Sequence, residues 1–171
     1  LGSKKIDFDD DSQAELDPKF MDQLRESFRD SKEEDALLLG EFAMQMNVEG
    51  WNEEFRIHLE SENAALRKNS LNYLARYDQE ERIENLVEQV LCDSEDIQVA
   101  FIDSVFLSNR EKKYFIIENF LESKHCQVRC NSSVTLMNCE ELSIREKGEK
   151  IFNEFLYSDD DARKLIALRS L

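Results

Sequence analysis

His58-Leu59-Glu60-Ser61, Leu91-Cys92-Asp93-Ser94, Phe120-Leu121-Glu122-Ser123 and Phe155-Leu156-Tyr157-Ser158 are four versions of one phrase, and their recurrence decides the fold. In each, an apolar residue closes one helix and a serine opens the next. Phe28-Arg29-Asp30-Ser31 is a weaker copy ahead of them. From Phe28 through Leu59, Leu91, Leu121 and Leu156 the intervals are 31, 32, 30 and 35 residues. A second marker, a small residue followed by an aliphatic one, falls at Ala36-Leu37, Ser70-Leu71, Ser104-Val105, Ser133-Val134 and Ala167-Leu168, at intervals of 34, 34, 29 and 34. At ~1.5 Å of rise per residue, such a period holds two helices of three to four turns and two short turns.

The second helix of each pair carries the heavy apolar stripe: Ile83, Leu86, Val87, Val90, Leu91, then Ile116, Ile117, Phe120, Leu121, then Ile151, Phe152, Phe155, Leu156. Spacing of i, i+3, i+4 and i+7 puts these on one face, which a single hairpin cannot cover, so each pair must pack on its neighbours. The serines are expected to cap the helix that follows, with Glu62, Glu95 and Asp159 favouring its positive end. Asp17-Pro18 predicts the start of the first helix, with proline at the first helical position, and Ser31-Lys32-Glu33-Glu34 has the form of a capping box.

Composition supports an all-α chain. Four glycines and one proline in 171 residues leave little for turn-rich β structure. Hydrophobic residues reach 41%, enough for a buried core beside 35% charged residues. The net charge of −16 repels phosphate backbones and anionic lipid, so neither nucleic acid nor insertion into a membrane is expected. A basic protein partner suits the charge. The longest apolar runs, such as Ala36-Leu37-Leu38-Leu39, are too short to cross a bilayer. With four cysteines and no secretion signal, a cytoplasmic or cytoplasm-facing domain with reduced thiols is expected.

Leu1-Gly2-Ser3 reads as an expression-tag scar, with native sequence from Lys4 and a longer parent chain. Residues 4–16, with Asp7, Asp9, Asp10, Asp11 and Glu15, read as a flexible acidic linker, because the glycine and ligand spacing of a Ca²⁺ loop are missing. Residues 17–171 form the repeat array. Its last apolar residues, Leu165 and Leu168, still need a cover, as in a truncated array.

Leu66-Arg67, Val128-Arg129 and Ala162-Arg163 resemble the Val-Arg element of HEAT repeats. The third repeat has Val99-Ala100 in that place, and the proline common in the family's first helix is absent. The resemblance covers about residues 17–171 and implies a right-handed α-α superhelix, a solenoid of about four to five HEAT-like hairpins whose arginines tie neighbours together. The run from Leu16-Asp17-Pro18 into the repeats is also similar to HEAT arrays fused behind bacterial ATP/ADP carrier-like transporters, which implies a cytosolic regulatory domain as the alternative. HEAT-like enzymes such as bilin lyases and DNA glycosylases are a third class, disfavoured by the acidity.

The candidate sites are few. His125, Cys126, Cys130 and Cys139 are the soft-ligand cluster. A zinc site there competes with buried thiols, because Cys126 and Cys130 fall in the register of Ile97 and Phe101, and we expect no metal. His58 shares the register of Val90, Phe120 and Phe155 and reads as a packing histidine. No nucleophile comes with a paired base, and Gly40, Gly50 and Gly148 stand alone, so neither catalysis nor a cofactor is expected. Trp51 is expected to be buried. Arg110, Lys112, Lys113, Arg145, Lys147 and Lys150 begin two second helices and are expected to align as a basic ridge that docks an acidic segment or an anionic headgroup. A non-catalytic module, monomeric and bound to a protein partner or to another domain of its chain, is the expected function.

Overall fold

A computed structural model describes residues 17–78, 83–108 and 110–171. The expected tag scar and acidic linker at 1–16 lie outside the described residues, as does the side chain of Ile83. Every regular element described is helical: α1 (Pro18–Asp30), α2 (Glu33–Gln45), α3 (Asn52–Ile57), α4 (Ala64–Tyr77), α5 (Ile83–Cys92), α6 (Glu95–Leu107), α7 (Lys113–Glu118), α8 (Cys126–Leu136), α9 (Leu142–Leu156) and α10 (Asp161–Arg169). Single 3-10 turns, His58–Glu60 and Asn119–Glu122, prolong α3 and α7. No described helix is long and apolar enough to cross a membrane.

The even-numbered helices pack in series, α2 on α4, α4 on α6, α6 on α8 and α8 on α10. The odd-numbered ones lie against them: α1 and α3 join α2 and α4 respectively, α5 rests on α6, α7 on α6 and α8, and α9 on α8 and α10. Between the rows runs a core from Phe28 to Ile144, and a smaller cluster of Cys130, Phe152, Phe155 and Ala167 closes the far end. At the near end Phe28 lies 4.6 Å from Phe55, and Phe55 stacks on Tyr73 at 3.7 Å. His58 and Trp51 are buried there as expected. The His58 ring sits 4.7 Å from Phe28, and its Nε2 donates to the Phe28 carbonyl at 3.2 Å. The Trp51 amide donates to the Tyr73 hydroxyl at 2.9 Å.

Close approach of α8 and α9 depends on Gly148, where a Cβ would stand 2.6 Å from the Ser133 carbonyl oxygen. Asp17 caps α1 through the Lys19 amide, with Pro18 following, as the sequence predicts. The capping box does not form. Lys32, not Ser31, precedes α2, and Ser31 donates back to the Ser27 carbonyl instead.

The repeating serines also act differently from expectation. Ser61, Ser123 and Ser158 stand two residues ahead of the caps Asn63, His125 and Asp160, and each hydroxyl oxygen accepts that cap's amide at 3.0–3.2 Å. They shape the turn, and Asn63 and Asp160 bind the helix amides themselves. The true beat of the chain is therefore the cap. Lys32, Asn63, Ser94 and His125 are spaced by 31 residues each time, and Asp160 follows after 35.

That count corrects three registers. Ser70, Ser104 and Ser133 stand seven, ten and eight places after their caps, so the small-aliphatic marker is not one structural position. Val128, not Cys126, is the equivalent of Ile97. The arginine position, four after the cap, is held by Arg67, Gln98, Arg129 and Lys164, so neither Val99-Ala100 nor Arg163 occupies it.

Candidate functional site

Two of the residues four after the cap, Arg67 and Gln98, share one geometry, each bonded back to its own turn and forward to the turn of the next hairpin. Arg67 donates backward to the carbonyls of Ser61 and Glu62 at 2.8 and 3.2 Å. Its Nε and Nη2 reach forward to the two Asp93 oxygens at 3.3 and 3.2 Å. Gln98 repeats the pattern without charge. Its amide donates backward to Leu91 and Asp93 carbonyls, and its oxygen accepts from Ser123 ahead at 2.7 Å. A glutamine bridge was invisible to a search for arginines, although its distance from Ser94 could have found it.

Arg129 occupies the same position and makes neither bridge. Its Nη2 contacts the Cys126 sulfur at 3.4 Å, and its buried Nε has no hydrogen-bond partner.

The six basic residues do not form one ridge. Arg110 turns inward and donates from Nε and Nη2 to the Ala75 and Leu74 carbonyls at 3.1 and 3.2 Å, capping the end of α4. Burial pulls its guanidinium below the ordinary arginine range, against the pull of nearby Asp78. Lys113 donates to the Phe106 carbonyl at 2.9 Å, with its ammonium 4.9 Å from the Phe106 ring. Arg145 pairs with Glu149 at 3.8 Å and Lys147 with Glu118. Lys112 and Lys150 are exposed.

Lys147 and Lys150 do come together in a groove of about 570 Å³ between α7 and α9. Phe115, Leu121 and Ile151 supply its apolar wall, and Glu118 and Glu122 its acids. Phe115 is 51% exposed. Sequence reasoning missed it, although its place off the Ile116, Ile117, Phe120, Leu121 stripe is the signal that could have found it. Sharing Leu121, Glu122 and Ile151 with this groove is a smaller pocket of about 240 Å³, completed by Arg129, Glu154, Phe155 and Arg163. The Arg129 and Arg163 guanidinium carbons stand 5.5 and 5.9 Å from the Phe155 ring centre.

The soft-ligand residues stay apart from both recesses, apart from the Cys126–Arg129 contact. Cys130 is buried among Phe152, Phe155 and Ala167, and burial pushes its thiol up. Cys139 belongs to the main core, and His125 Nδ1 faces Glu95 at 3.7 Å. Among the described residues no group of three or more His, Cys, Asp or Glu is placed to hold a metal ion. No protein-family model, curated protein or solved structure matches the chain.

Proposed function

We propose that this chain is a non-catalytic interaction module, a HEAT-like right-handed solenoid of four to five hairpins that offers the α7–α9 groove to another protein or another domain of its own chain. The observation that carries the reading is the groove itself, an open recess with a half-exposed aromatic at its rim and two lysines on one wall. Such a mix of aromatic anchor and polar rim is the usual make-up of a binding patch. The 31-residue spacing of the caps and the forward bridges of Arg67 and Gln98 favour stacked repeats over an irregular bundle.

Arg110 and Lys113 already serve helix ends, so the docking role falls to Phe115, Lys147 and Lys150. The test is a Phe115→Ala/Lys150→Glu variant, checked for unchanged helicity and then compared with the wild type for partners cross-linked in cell extract. Loss of a wild-type partner by tenfold or more supports the groove. A variant that retains every wild-type partner at full yield overturns it.

A further inference from the structure

The bridging position repeats along the chain, and so does the site it points to. Asp93, Ser123 and Ser158 occupy equivalent places, each amide bonded to the carbonyl three residues back, at Val90, Phe120 and Phe155. Arg67 meets Asp93, a charged donor with a charged acceptor. Gln98 meets Ser123, a neutral pair. By the same register the partner of Arg129 would be Ser158, and a serine cannot neutralise a guanidinium; Arg129 stands over the Phe155 ring, whose carbonyl accepts the Ser158 amide. Ser158 instead accepts the Asp160 amide.

The mismatch leaves Arg129 with no bonded carboxylate among the described residues, in a chain with 38 acids and 22 bases. Arg129 and Arg163 flank one aromatic ring, and among the described residues neither forms an ion pair with a carboxylate. The Nε of Arg129, whose counterpart in Arg67 binds Asp93, is buried with no hydrogen-bond partner. Unpaired buried donors are costly, so the position favours an acceptor.

We infer that the Arg129–Phe155–Arg163 pocket receives the carboxylate of an acidic side chain on a partner segment, completing from outside the bridge that Asp93 completes within the chain. The carboxylate would accept from Nε and Nη2 of Arg129, as Asp93 does from Arg67, with Arg163 as the second cation. Glu122 and Glu154 also line the pocket, and they disfavour a bare anion. They suit a peptide, whose backbone amides offer them donors. The pocket's continuity with the α7–α9 groove places this side chain within the docking role proposed above, and the inference rests on that reading for the peptide nature of its occupant.

The test uses the capped tripeptide acetyl-Glu-Glu-Glu-amide and, separately, inorganic phosphate. Binding is followed by the Nε–H resonances of Arg129, Arg163 and Arg67 and by the Ser158 amide. The tripeptide is expected to shift Arg129, Arg163 and Ser158 saturably in the millimolar range, leaving Arg67 unmoved. Arg129→Gln is expected to weaken binding about tenfold or more. Ser158→Asp, which places a chain carboxylate where Asp93 stands, is expected to exclude the tripeptide while the fold holds. Non-saturating shifts, undiminished binding by either variant, or saturation by phosphate but not tripeptide would each overturn the assignment. The Phe115/Lys150 variant reads the groove separately, so failure of one is distinguishable from failure of the other.

Discussion

Arg67 and Asp93 join two hairpins side-on, with both Nε and Nη2 of the arginine within 3.3 Å of separate carboxylate oxygens. The pair is partly shielded, with side-chain exposures of 24% and 16%. Two parallel charge-assisted bonds in that setting exceed the worth of an exposed ion pair. A double-mutant cycle of Arg67→Gln and Asp93→Asn in urea unfolding should give a coupling of about 1–2 kcal/mol. A coupling near zero would show the contact to be incidental.

Gln98 is fully buried, its bond from Ser123 is buried, and its bonds to the Leu91 and Asp93 carbonyls are partly so. Truncation to alanine strands the Ser123 hydroxyl and removes two carbonyl contacts. The expected loss is about 2–3 kcal/mol, read as a lower urea midpoint at constant slope.

Gly148→Ala sets two effects against each other. Helix propensity favours alanine by about 1 kcal/mol. The new Cβ would meet the Ser133 backbone oxygen at 2.6 Å, and backbone cannot swing aside as a long side chain can. Overpacking of this kind costs about 1–3 kcal/mol, so a net loss of stability is expected. A stabilised variant would mean that α8 and α9 separate easily.

Tyr73 predicts the response to alkali. Burial pushes its hydroxyl up to about 12 from the ordinary tyrosine value near 10, opposed by the hydrogen bond from the Trp51 amide. The folded pKa is raised, so the stabilisation is complete below pH 10 and is lost as pH climbs through the folded value. Two units correspond to about 2–3 kcal/mol lost between about pH 10 and 12. Ultraviolet titration of tyrosinate should show one hydroxyl ionising together with unfolding, and Tyr73→Phe should remove that step.

What could be read from the chain depended on how far each signal was local. The all-helical class and the burial of Trp51 and His58 rest on apolar periodicity, which is written residue by residue. The true register did not. The serines announced each turn, but turn length varies by one residue between Asp93-Ser94 and Ser61-Glu62-Asn63, and that slip misplaced the positions of α6 when they were matched to those of α8. The fates of the cations were hidden for another reason. Arg110 binds carbonyls 35 and 36 residues away, and no local pattern encodes which lysine or arginine will find a helix end. The groove at Phe115 was half visible, because an aromatic off the stripe is readable while the wall opposite it comes from α9.

The bridges thin out along the molecule, among the described residues: four polar bonds at Arg67, three at Gln98, and one weak contact at Arg129. The consequence is mechanical. Arginine bridges of this kind resist shear in two directions, whereas the last joint relies on the apolar contacts of Phe152, Phe155 and Ala167 and on Ser170, which accepts from Gln127 and donates to Asn131. A carboxylate seated at Arg129 would therefore act as a strut, adding the forward staple that Asp93 supplies to Arg67.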